Sequence, residues 1–221
     1  MLVMLVDDHE VVRLGYASLL RTQSFFEVQA DCASTDEAYH WLLEAHTRAT
    51  LPEVLITDLS LGGASGLELI AKVKERFAQI KIIALSMHES GALIQRCFDL
   101  GAEGYFCKSN KPSLLKQAIE TVMAGRPYID ETAQQALDSY AQGKQKFAAL
   151  TRREFEVLQQ VIRGENYLNI AQSLHLSVKT IANHLSSIRG KLGVETDFQL
   201  IRLVDELGLP SKDSQFKTPN A

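Results

Sequence analysis

Cysteines and long apolar runs are both scarce in this sequence. Its 221 residues include an odd number of cysteines, with no CxxC pair among them: Cys32, Cys97 and Cys107. Such usage is typical of reduced thiols in a cytosolic protein, and it argues against a disulfide framework or a metal or redox motif. No apolar run reaches the roughly 18 residues that a membrane helix needs. We therefore expect a soluble, cytoplasmic protein that does not enter a membrane.

The sequence also lacks the short motifs of several large enzyme classes. It has no GxxxxGK[ST] loop and no HExxH motif, and Gly62–Gly66 places its serine wrongly for GxSxG. A basic surplus is missing too, since the net charge is −4. The first 130 residues hold 17 acidic and 12 basic side chains, whereas the remaining residues hold 10 and 11. The second half is therefore the better candidate for contact with nucleic acid.

The first 126 residues alternate regularly between strand-like and helix-like segments. Apolar runs bounded by turn residues predict five strands, over Leu2–Val6, Glu27–Ala33, Pro52–Leu59, Lys81–Ser86 and Gly104–Lys108. An amphipathic stripe after each strand predicts a helix there. Five such units in a row imply an α/β fold, a doubly wound parallel sheet with helices on both faces. Sites in these sheets lie beyond the carboxyl ends of the strands.

The rest of the chain predicts a connector, a helical domain and a tail. In residues 127–149, Pro127 interrupts the chain, Thr132–Ala141 has a helical pattern, and Gly143–Ala149 is small and polar. Residues 150–209 contain four apolar stripes at helical spacing, which predict an all-α, four-helix domain. The polar residues 210–221 predict a frayed tail.

Five polar side chains fall at the predicted strand ends. Asp7 and Asp8 follow the first strand, and Asp58, Ser86 and Lys108 close the third, fourth and fifth. Carboxylates gathered at one edge repel each other unless a cation lies among them, and oxygen ligands suit Mg²⁺. A reachable carboxylate beside Mg²⁺ is a nucleophile toward phosphorus, and a lysine and a hydroxyl can hold the new phosphoryl oxygens. Each residue alone is more simply a turn residue or a solvated charge, but the five together predict a phosphoacceptor site.

Four stretches of residues 1–126 resemble the receiver domain of bacterial two-component response regulators: MLVMLVDDHEVVRLG, LITDLSLGGASGLEL, IIALS and GAEGYFCK. The resemblance implies a flavodoxin-like receiver fold and a sensor histidine kinase as phosphodonor. It also implies that Asp58 is the phosphoacceptor and that Lys108 binds the phosphate. Ser86 and Tyr105 resemble the pair that rearranges after phosphorylation.

The same resemblance implies a Mg²⁺ site. Asp8 and Asp58 would ligate the metal, Asp7 would act through water, and Ser60 would offer its backbone carbonyl. The chain departs from the family in the next loop, where Gly62-Gly63 replaces a usual proline and predicts a looser loop. A proline directly after Lys108 is also absent, since the next proline is Pro112. This spacing is common in the subfamily with a C-terminal four-helix DNA-binding domain.

A helix-turn-helix pattern lies in the middle of the second domain. A short helix ends near His175, and Ser177 is suited to cap the helix that follows. The face of this helix opposite its apolar stripe is small, polar and partly basic: Lys179, Ala182, Asn183 and Ser186. An asparagine there suits an adenine edge, and the positive charges of Lys179, Arg189 and Lys191 suit DNA phosphates. On pattern alone, an ordinary four-helix domain with a solvated third helix stays an alternative.

Two stretches, LTRREFEVLQQVIRG and NIAQSLHLSVKTIANHLSSIRGKLGV, resemble the LuxR-type helix-turn-helix of the NarL/FixJ subfamily over essentially the whole second domain. Thr180, Ile181 and His184 match its TVxxH core. Ala182 and Ser186 stand where lysines often read bases in the family, so those base contacts do not transfer to this chain. The resemblance implies double-stranded promoter DNA as a partner.

Together these features predict a phosphorylation-dependent transcription regulator that forms a homodimer when phosphorylated. We expect no enzyme activity beyond self-phosphorylation and slow loss of the phosphoryl group. A phosphohydrolase is the less favoured alternative, because Ser60 cannot supply the general acid expected two residues after Asp58. A constitutive DNA-binding protein with a degenerate receiver is disfavoured by the complete set of site residues. We expect the signal to pass from Ser86 and Tyr105 to the connector.

Overall fold

The computed structural model describes residues 1–22, 25–61 and 64–207, which divide into two compact units, Met1–Leu137 and the residues from Asp138 onward. The strands of the first unit are β1 (Leu2–Val6), β2 (Glu27–Cys32), β3 (Val54–Asp58), β4 (Ser60–Leu61), β5 (Ala64–Ser65), β6 (Lys81–Ser86), β7 (Gly104–Cys107) and β8 (Tyr128–Ile129). Its helices are α1 (Glu10–Arg21), α2 (Thr35–Thr47), α3 (Gly66–Arg76), α4 (Gly91–Asp99) and α5 (Leu114–Met123), and α6 (Glu131–Ala148) begins in it.

The main sheet is parallel throughout, in the order β2-β1-β3-β6-β7-β8. The predicted doubly wound α/β class is confirmed, but the sheet has six strands rather than five. The added strand, β8, pairs Tyr128 with Gly104 and Ile129 with Tyr105. A strand of two residues is too short to show a period in the sequence. The short strands β4 and β5 form a separate antiparallel pair.

Apolar side chains cover the sheet on both faces. In β1, Met4 and Val6 pack with residues of α2, α3 and α4, while Val3 and Leu5 pack with residues of α1 and α5. All four side chains are at most 2% exposed. Because neither face meets water, the strand has an unbroken apolar sequence. Charged side chains are therefore placed at the strand ends, where the candidate site lies.

The second unit is a set of helices, as the sequence predicts: α7 (Arg152–Ile162), α8 (Tyr167–Ser173), α9 (Val178–Leu192) and α10 (Asp197–Glu206). Each begins at a residue whose side chain accepts a hydrogen bond from the first turn: Thr151, Asn166, Ser177 and Thr196. Their apolar stripes meet in one core. Among the described residues, no helix combines the length and apolar character that a membrane span requires.

Helix α6 is longer than the sequence predicts. The pattern indicated a helix over Thr132–Ala141 and then non-helical residues, whereas α6 continues to Ala148. Gly143 lets Leu207 approach closely, since an added Cβ would lie 2.5 Å from the Cδ2 of that leucine. Phe147 is only 9% exposed and joins the core of the second unit. This packing outweighs the roughly 1 kcal/mol cost of a glycine within a helix. The predicted tail, residues 210–221, lies outside the described residues.

Candidate functional site

Three aspartates meet at the carboxyl edge of the sheet. Asp7 and Asp8 follow β1, and Asp58 ends β3, the neighbouring strand. Asp7 and Asp58 are each 2% exposed. Ligand atoms of these three residues and of His9 all lie within 4.8 Å of one another. The sequence therefore predicted the gathering of carboxylates correctly, whereas it gave no role to His9.

A single lysine connects the two buried carboxylates. The Nζ atom of Lys108 lies 2.7 Å from Asp7 Oδ2 and 2.7 Å from Asp58 Oδ2. One ammonium cannot neutralise two carboxylates, and the nearby Asp8 adds a further negative charge. This surplus favours a bound cation. The donors are carboxylate oxygens, which are the ligands of hard divalent ions such as Mg²⁺, so the residues present fit such an ion.

Arg13 holds the loop that follows β1, a role that no sequence pattern indicates. Its Nη1 atom donates to the Asp7 carbonyl at 2.6 Å, and its Nε atom donates to Asp31 at 3.3 Å. The His9 amide donates to Asp7 Oδ1 at 2.8 Å, and its Nδ1 lies 2.8 Å from Asp8 Oδ1. These contacts fix the loop that presents both aspartates. The partner Asp31 lies on β2, so the pattern of α1 alone could not indicate the contact.

Asp58 lies where β3 turns into the β4–β5 hairpin. Its Oδ1 atom accepts a hydrogen bond from the Ser60 amide at 3.3 Å. Helix α3 begins very close to this residue, because a Cβ on Gly66 would lie 2.1 Å from the Asp58 carbonyl oxygen. Only glycine allows this approach. The predicted looseness at Gly62-Gly63 concerns residues outside the described part of the chain.

Ser86 and Tyr105 both form hydrogen bonds with His88. Both residues are fully buried. The Ser86 hydroxyl oxygen accepts from the His88 amide at 2.9 Å, and the Tyr105 hydroxyl donates to the His88 carbonyl. Burial raises the pKa of Tyr105, so its hydroxyl stays protonated and remains a donor. A displacement of the Ser86 hydroxyl would therefore change the hydrogen bonding of His88, which Tyr105 also contacts.

The helix-turn-helix of the second unit consists of α8 and α9. His175 takes a left-handed conformation (φ 54°) in the turn, and Ser177 Oγ accepts from the Thr180 amide at 3.1 Å. The inner face of α9 is buried: Ile181, Leu185, Ile188 and Leu192. Lys179, Ala182, Asn183 and Ser186 are exposed on the other face, and Thr180 and His184 are partly exposed. The predicted division between apolar and polar faces of this helix is present.

Two of the three basic residues predicted to meet DNA phosphates are held in ion pairs. Arg189 Nη1 lies 3.0 Å from Asp197 Oδ1, and the other oxygen of Asp197 accepts from the Tyr167 hydroxyl. Lys191 Nζ lies 2.6 Å from Glu154 Oε2. Both pairs join α9 to another helix, with Asp197 on α10 and Glu154 on α7, so the composition of α9 could not indicate them.

Glu154 fixes α9 to α7, a role that sequence reasoning missed. This buried carboxylate also accepts from the Thr151 amide at 2.7 Å, the Thr151 hydroxyl at 2.9 Å and the Ser187 hydroxyl at 2.7 Å. Burial alone would raise the pKa of Glu154, but the hydrogen bonds from Lys191, Ser187 and Thr151 outweigh it and lower the pKa to about 2. The ThrXaaXaaGlu capping box was visible in the sequence, whereas the contacts with α9 were not.

Comparison with known families matches both parts of the chain. Residues 3–120 match the response regulator receiver domain, and residues 148–204 match the bacterial regulatory proteins of the luxR family. The transcriptional activator protein ExaE of Pseudomonas putida is 32% identical over 94% of this chain and 97% of its own length. The oxygen regulatory protein NreC of Staphylococcus epidermidis is 33% identical over 91% of this chain and 95% of its own.

Solved structures of the RcsB response regulator share the fold. One from Salmonella typhimurium has a TM-score of 0.73 and 29% identity, and covers 93% of this chain and 99% of its own. The RcsB–DNA complex has a TM-score of 0.64 and 29% identity, with coverage of 94% and 98%. The chain therefore belongs to the NarL/FixJ-type response regulators, in which a receiver domain is followed by a LuxR-type DNA-binding domain.

Proposed function

We propose that Asp58 accepts a phosphoryl group from a sensor histidine kinase and that this event controls promoter binding. The observation that carries the proposal is a buried carboxylate at the sheet edge, 2.7 Å from Lys108 and beside two further aspartates. In the transfer, an Asp58 carboxylate oxygen forms a bond to phosphorus as the bond from phosphorus to the kinase imidazole breaks. The imidazole keeps the electron pair and takes up a proton. The acyl phosphate is lost slowly to water, without turnover of a foreign substrate.

For the metal, we propose that Asp8 and Asp58 ligate Mg²⁺ directly, Asp7 acts through a water molecule, and the Ser60 carbonyl completes the protein ligands. Mg²⁺, when bound, would neutralise charge on the transferred phosphoryl group. The carboxylate cluster and its surplus negative charge support this assignment. Arg13 keeps the ligands of the β1–α1 loop in place through the Asp7 carbonyl.

After transfer, two side chains of the site hold the new oxygens. We assign to Lys108 the ion pair with the phosphoryl group, since its ammonium already lies 2.7 Å from Asp58. The Ser86 hydroxyl would donate to another phosphoryl oxygen and give up the His88 amide that it now accepts from. Tyr105, which donates to the His88 carbonyl, would respond to that change. Ser86 and Tyr105 are in this way the proposed switch pair.

The proposed domains are a receiver over residues 1–126, a linker over 127–149, a LuxR-type DNA-binding domain over 150–209 and a tail over 210–221. The matches to residues 3–120 and 148–204 support the first and third. Helix α6, at Glu131–Ala148, would make most of the linker helical.

In the DNA-binding domain, α9 is the proposed reading helix. Lys179, Ala182, Asn183 and Ser186 form its exposed face, with Thr180 and His184 beside them. We assign base contact to Asn183 and the principal phosphate contact to Lys179, since Arg189 and Lys191 are also occupied by ion pairs. The RcsB–DNA complex supports double-stranded promoter DNA as the partner. A partner of this kind implies that the protein acts in the cytoplasm.

Phosphorylation would also promote pairing of two chains. RcsB has been solved as dimers bound to DNA, which supports a homodimer here. Two α9 helices matched to half-sites one DNA turn apart would gain affinity through linkage. Pairing would then convert a change in the receiver into tighter promoter binding.

The test is formation of an acyl phosphate. Incubation with Mg²⁺ and a small phosphodonor should give one acid-stable, base-labile phosphoryl group per chain, found at Asp58 by mass spectrometry. Asp58→Asn should abolish it, and Asp8→Ala should weaken it through the metal. Asp36→Asn is the matched control, because Asp36 is an exposed carboxylate on α2. Persistent labelling of the Asp58→Asn protein on another residue would overturn the assignment.

A further inference from the structure

Asp130 occupies the junction between the sheet and α6. It follows β8, precedes α6, and is only 8% exposed. Its Oδ1 atom accepts from the Ala133 amide at 3.0 Å, and its backbone carbonyl accepts from the Gln134 amide at 2.9 Å. These two bonds make Asp130 the residue that caps and begins α6.

The second carboxylate oxygen of Asp130 extends the sheet. Strand β8 ends at Ile129, which pairs with Tyr105 of β7. Along a strand, the amides that point toward one neighbouring strand belong to every second residue. After Tyr105, the next β7 amide that points toward β8 is therefore that of Cys107. That amide donates to Asp130 Oδ2 at 2.9 Å. A side-chain oxygen thus replaces the strand carbonyl that the short β8 does not supply.

The strand β7 connects Asp130 to the candidate phosphorylation site. Cys107 is its last residue and directly precedes Lys108, whose ammonium contacts both Asp7 and Asp58. A phosphoryl group on Asp58 adds about two negative charges there. Lys108 would then exchange a carboxylate for phosphoryl oxygens, and a shift of its backbone would displace the end of β7. Any such movement acts on the hydrogen bond between Cys107 and Asp130.

We propose that Asp130 is a positioning residue that transmits the state of Asp58 from the end of β7 to the first turn of α6. This inference rests on the proposed phosphorylation of Asp58. One carboxylate holds an amide of each element, so a displacement of β7 changes the cap of α6. This route begins at Lys108 rather than at the Ser86 hydroxyl. Because α6 continues to Ala148, a change at its start enters the linker directly.

The variant Asp130→Ser keeps the cap of α6 and loses the hydrogen bond to the Cys107 amide. A serine caps a helix about as well as an aspartate, but its single short hydroxyl cannot also hold the Cys107 amide. Lys108 stays anchored in Asp130→Ser, since its own amide donates to the Ser86 carbonyl at 2.8 Å. Acyl phosphate formation should therefore stay within about twofold of wild type. The ratio of DNA affinities with and without phosphodonor should fall to less than half of the wild-type ratio.

Ser34→Ala is the matched control, because Ser34 Oγ caps α2 in the same unit by accepting from the Glu37 amide. It should lose a comparable cap and keep the wild-type affinity ratio. An Asp130→Ser protein that keeps at least half of that ratio would overturn the proposal. A wild-type ratio of one would instead contradict the proposed function, so the two failures are distinguishable.

A measurement on the wild-type protein keeps the test independent of folding in the variant. Amide hydrogen exchange by NMR, with Mg²⁺ and beryllofluoride as the phosphoryl mimic, should alter the protection of Cys107 and Ala133 together. A change at Cys107 without one at Ala133 would show that the carboxylate does not couple the two elements.

Discussion

The two units each contain a buried carboxylate beside a lysine, with opposite consequences. In the first unit, Lys108 is shared between Asp7 and Asp58 at 2.7 Å each. In the second unit, Lys191 pairs with one carboxylate, Glu154, and neutral donors from Thr151 and Ser187 supply the remaining hydrogen bonds of that carboxylate. The first group retains surplus negative charge and the second is balanced. A charge surplus at a sheet edge thus indicates a site for ligands, whereas a balanced pair between helices indicates a structural contact.

The largest effect should come from breaking the balanced group. Glu154→Ala removes the carboxylate to which Lys191, Ser187 and the Thr151 amide donate, and it should destabilise the second unit by about 2–4 kcal/mol. Urea unfolding followed by circular dichroism would report both units. Fluorescence of the single tryptophan, Trp41, would report the first unit alone.

Glu156→Ala is the control for that variant. Glu156 lies on the same helix in surface ion pairs with Arg152 and Arg153, so its loss should leave the stability of the second unit nearly unchanged. If Glu154→Ala shifted the Trp41 transition as far as the circular dichroism transition, the claim that Glu154 stabilises the second unit alone would be wrong.

The next largest effect concerns α9, whose orientation depends on that balanced group. Asn183→Ala should weaken binding to the cognate promoter by about 1–3 kcal/mol and binding to random DNA much less, because Asn183 is exposed on the proposed reading face. Lys179→Ala is the contrasting variant. It should weaken both complexes alike and lower the salt slope by about one unit. Equal losses for Asn183→Ala on both DNAs, measured by fluorescence anisotropy, would show that Asn183 reads no base.

The charge surplus of the first unit predicts a smaller, ligand-dependent gain in stability. At a free Mg²⁺ concentration of about ten times its dissociation constant, binding should add about 1.4 kcal/mol to the free energy of unfolding that Trp41 reports. Asp8→Asn should remove most of this gain, and Asp36→Asn should keep it. An equal gain in Asp8→Asn would exclude Asp8 as a ligand.

The sequence predicted the elements and contacts that local pattern determines. Lys81–Ser86 was predicted to the residue, since a buried strand has an unbroken apolar run. The start of α9 followed from Ser177, whose cap is a local contact. Strand β8 was missed, because its partner, β7, fixes it rather than its own two residues. Gly143 suggested the end of a helix, but contact with Leu207 keeps it inside one.

The candidate site divides in the same way. Topology alone brings the ends of adjacent parallel strands together, so the cluster of Asp7, Asp8 and Asp58 was predictable from strand order. The roles of Arg13 and Glu154 depend on partners elsewhere in the chain, at Asp31 for the first and on α9 for the second. Local sequence pattern does not indicate which charged residues of separate elements will pair in the folded chain.

The smallest predicted effect is the pH dependence of the balanced group between pH 7 and pH 4.5. The hydrogen bonds of Glu154 lower its pKa to about 2 from an ordinary value of 4.5. The folded state therefore keeps this carboxylate charged where the unfolded state already binds a proton. The charged Glu154 carboxylate makes its full contribution to the free energy of unfolding well above pH 4.5, and this contribution is lost as the pH falls from 4.5 toward 2. Between pH 7 and pH 4.5 the loss is about 0.4 kcal/mol, because half of the unfolded carboxyls are then protonated.

Glu154→Gln, which cannot titrate, should have a shallower acid slope than wild type in urea unfolding followed by circular dichroism. Identical slopes from pH 7 to pH 3 would mean that the surrounding donors do not hold the Glu154 carboxylate in its charged form.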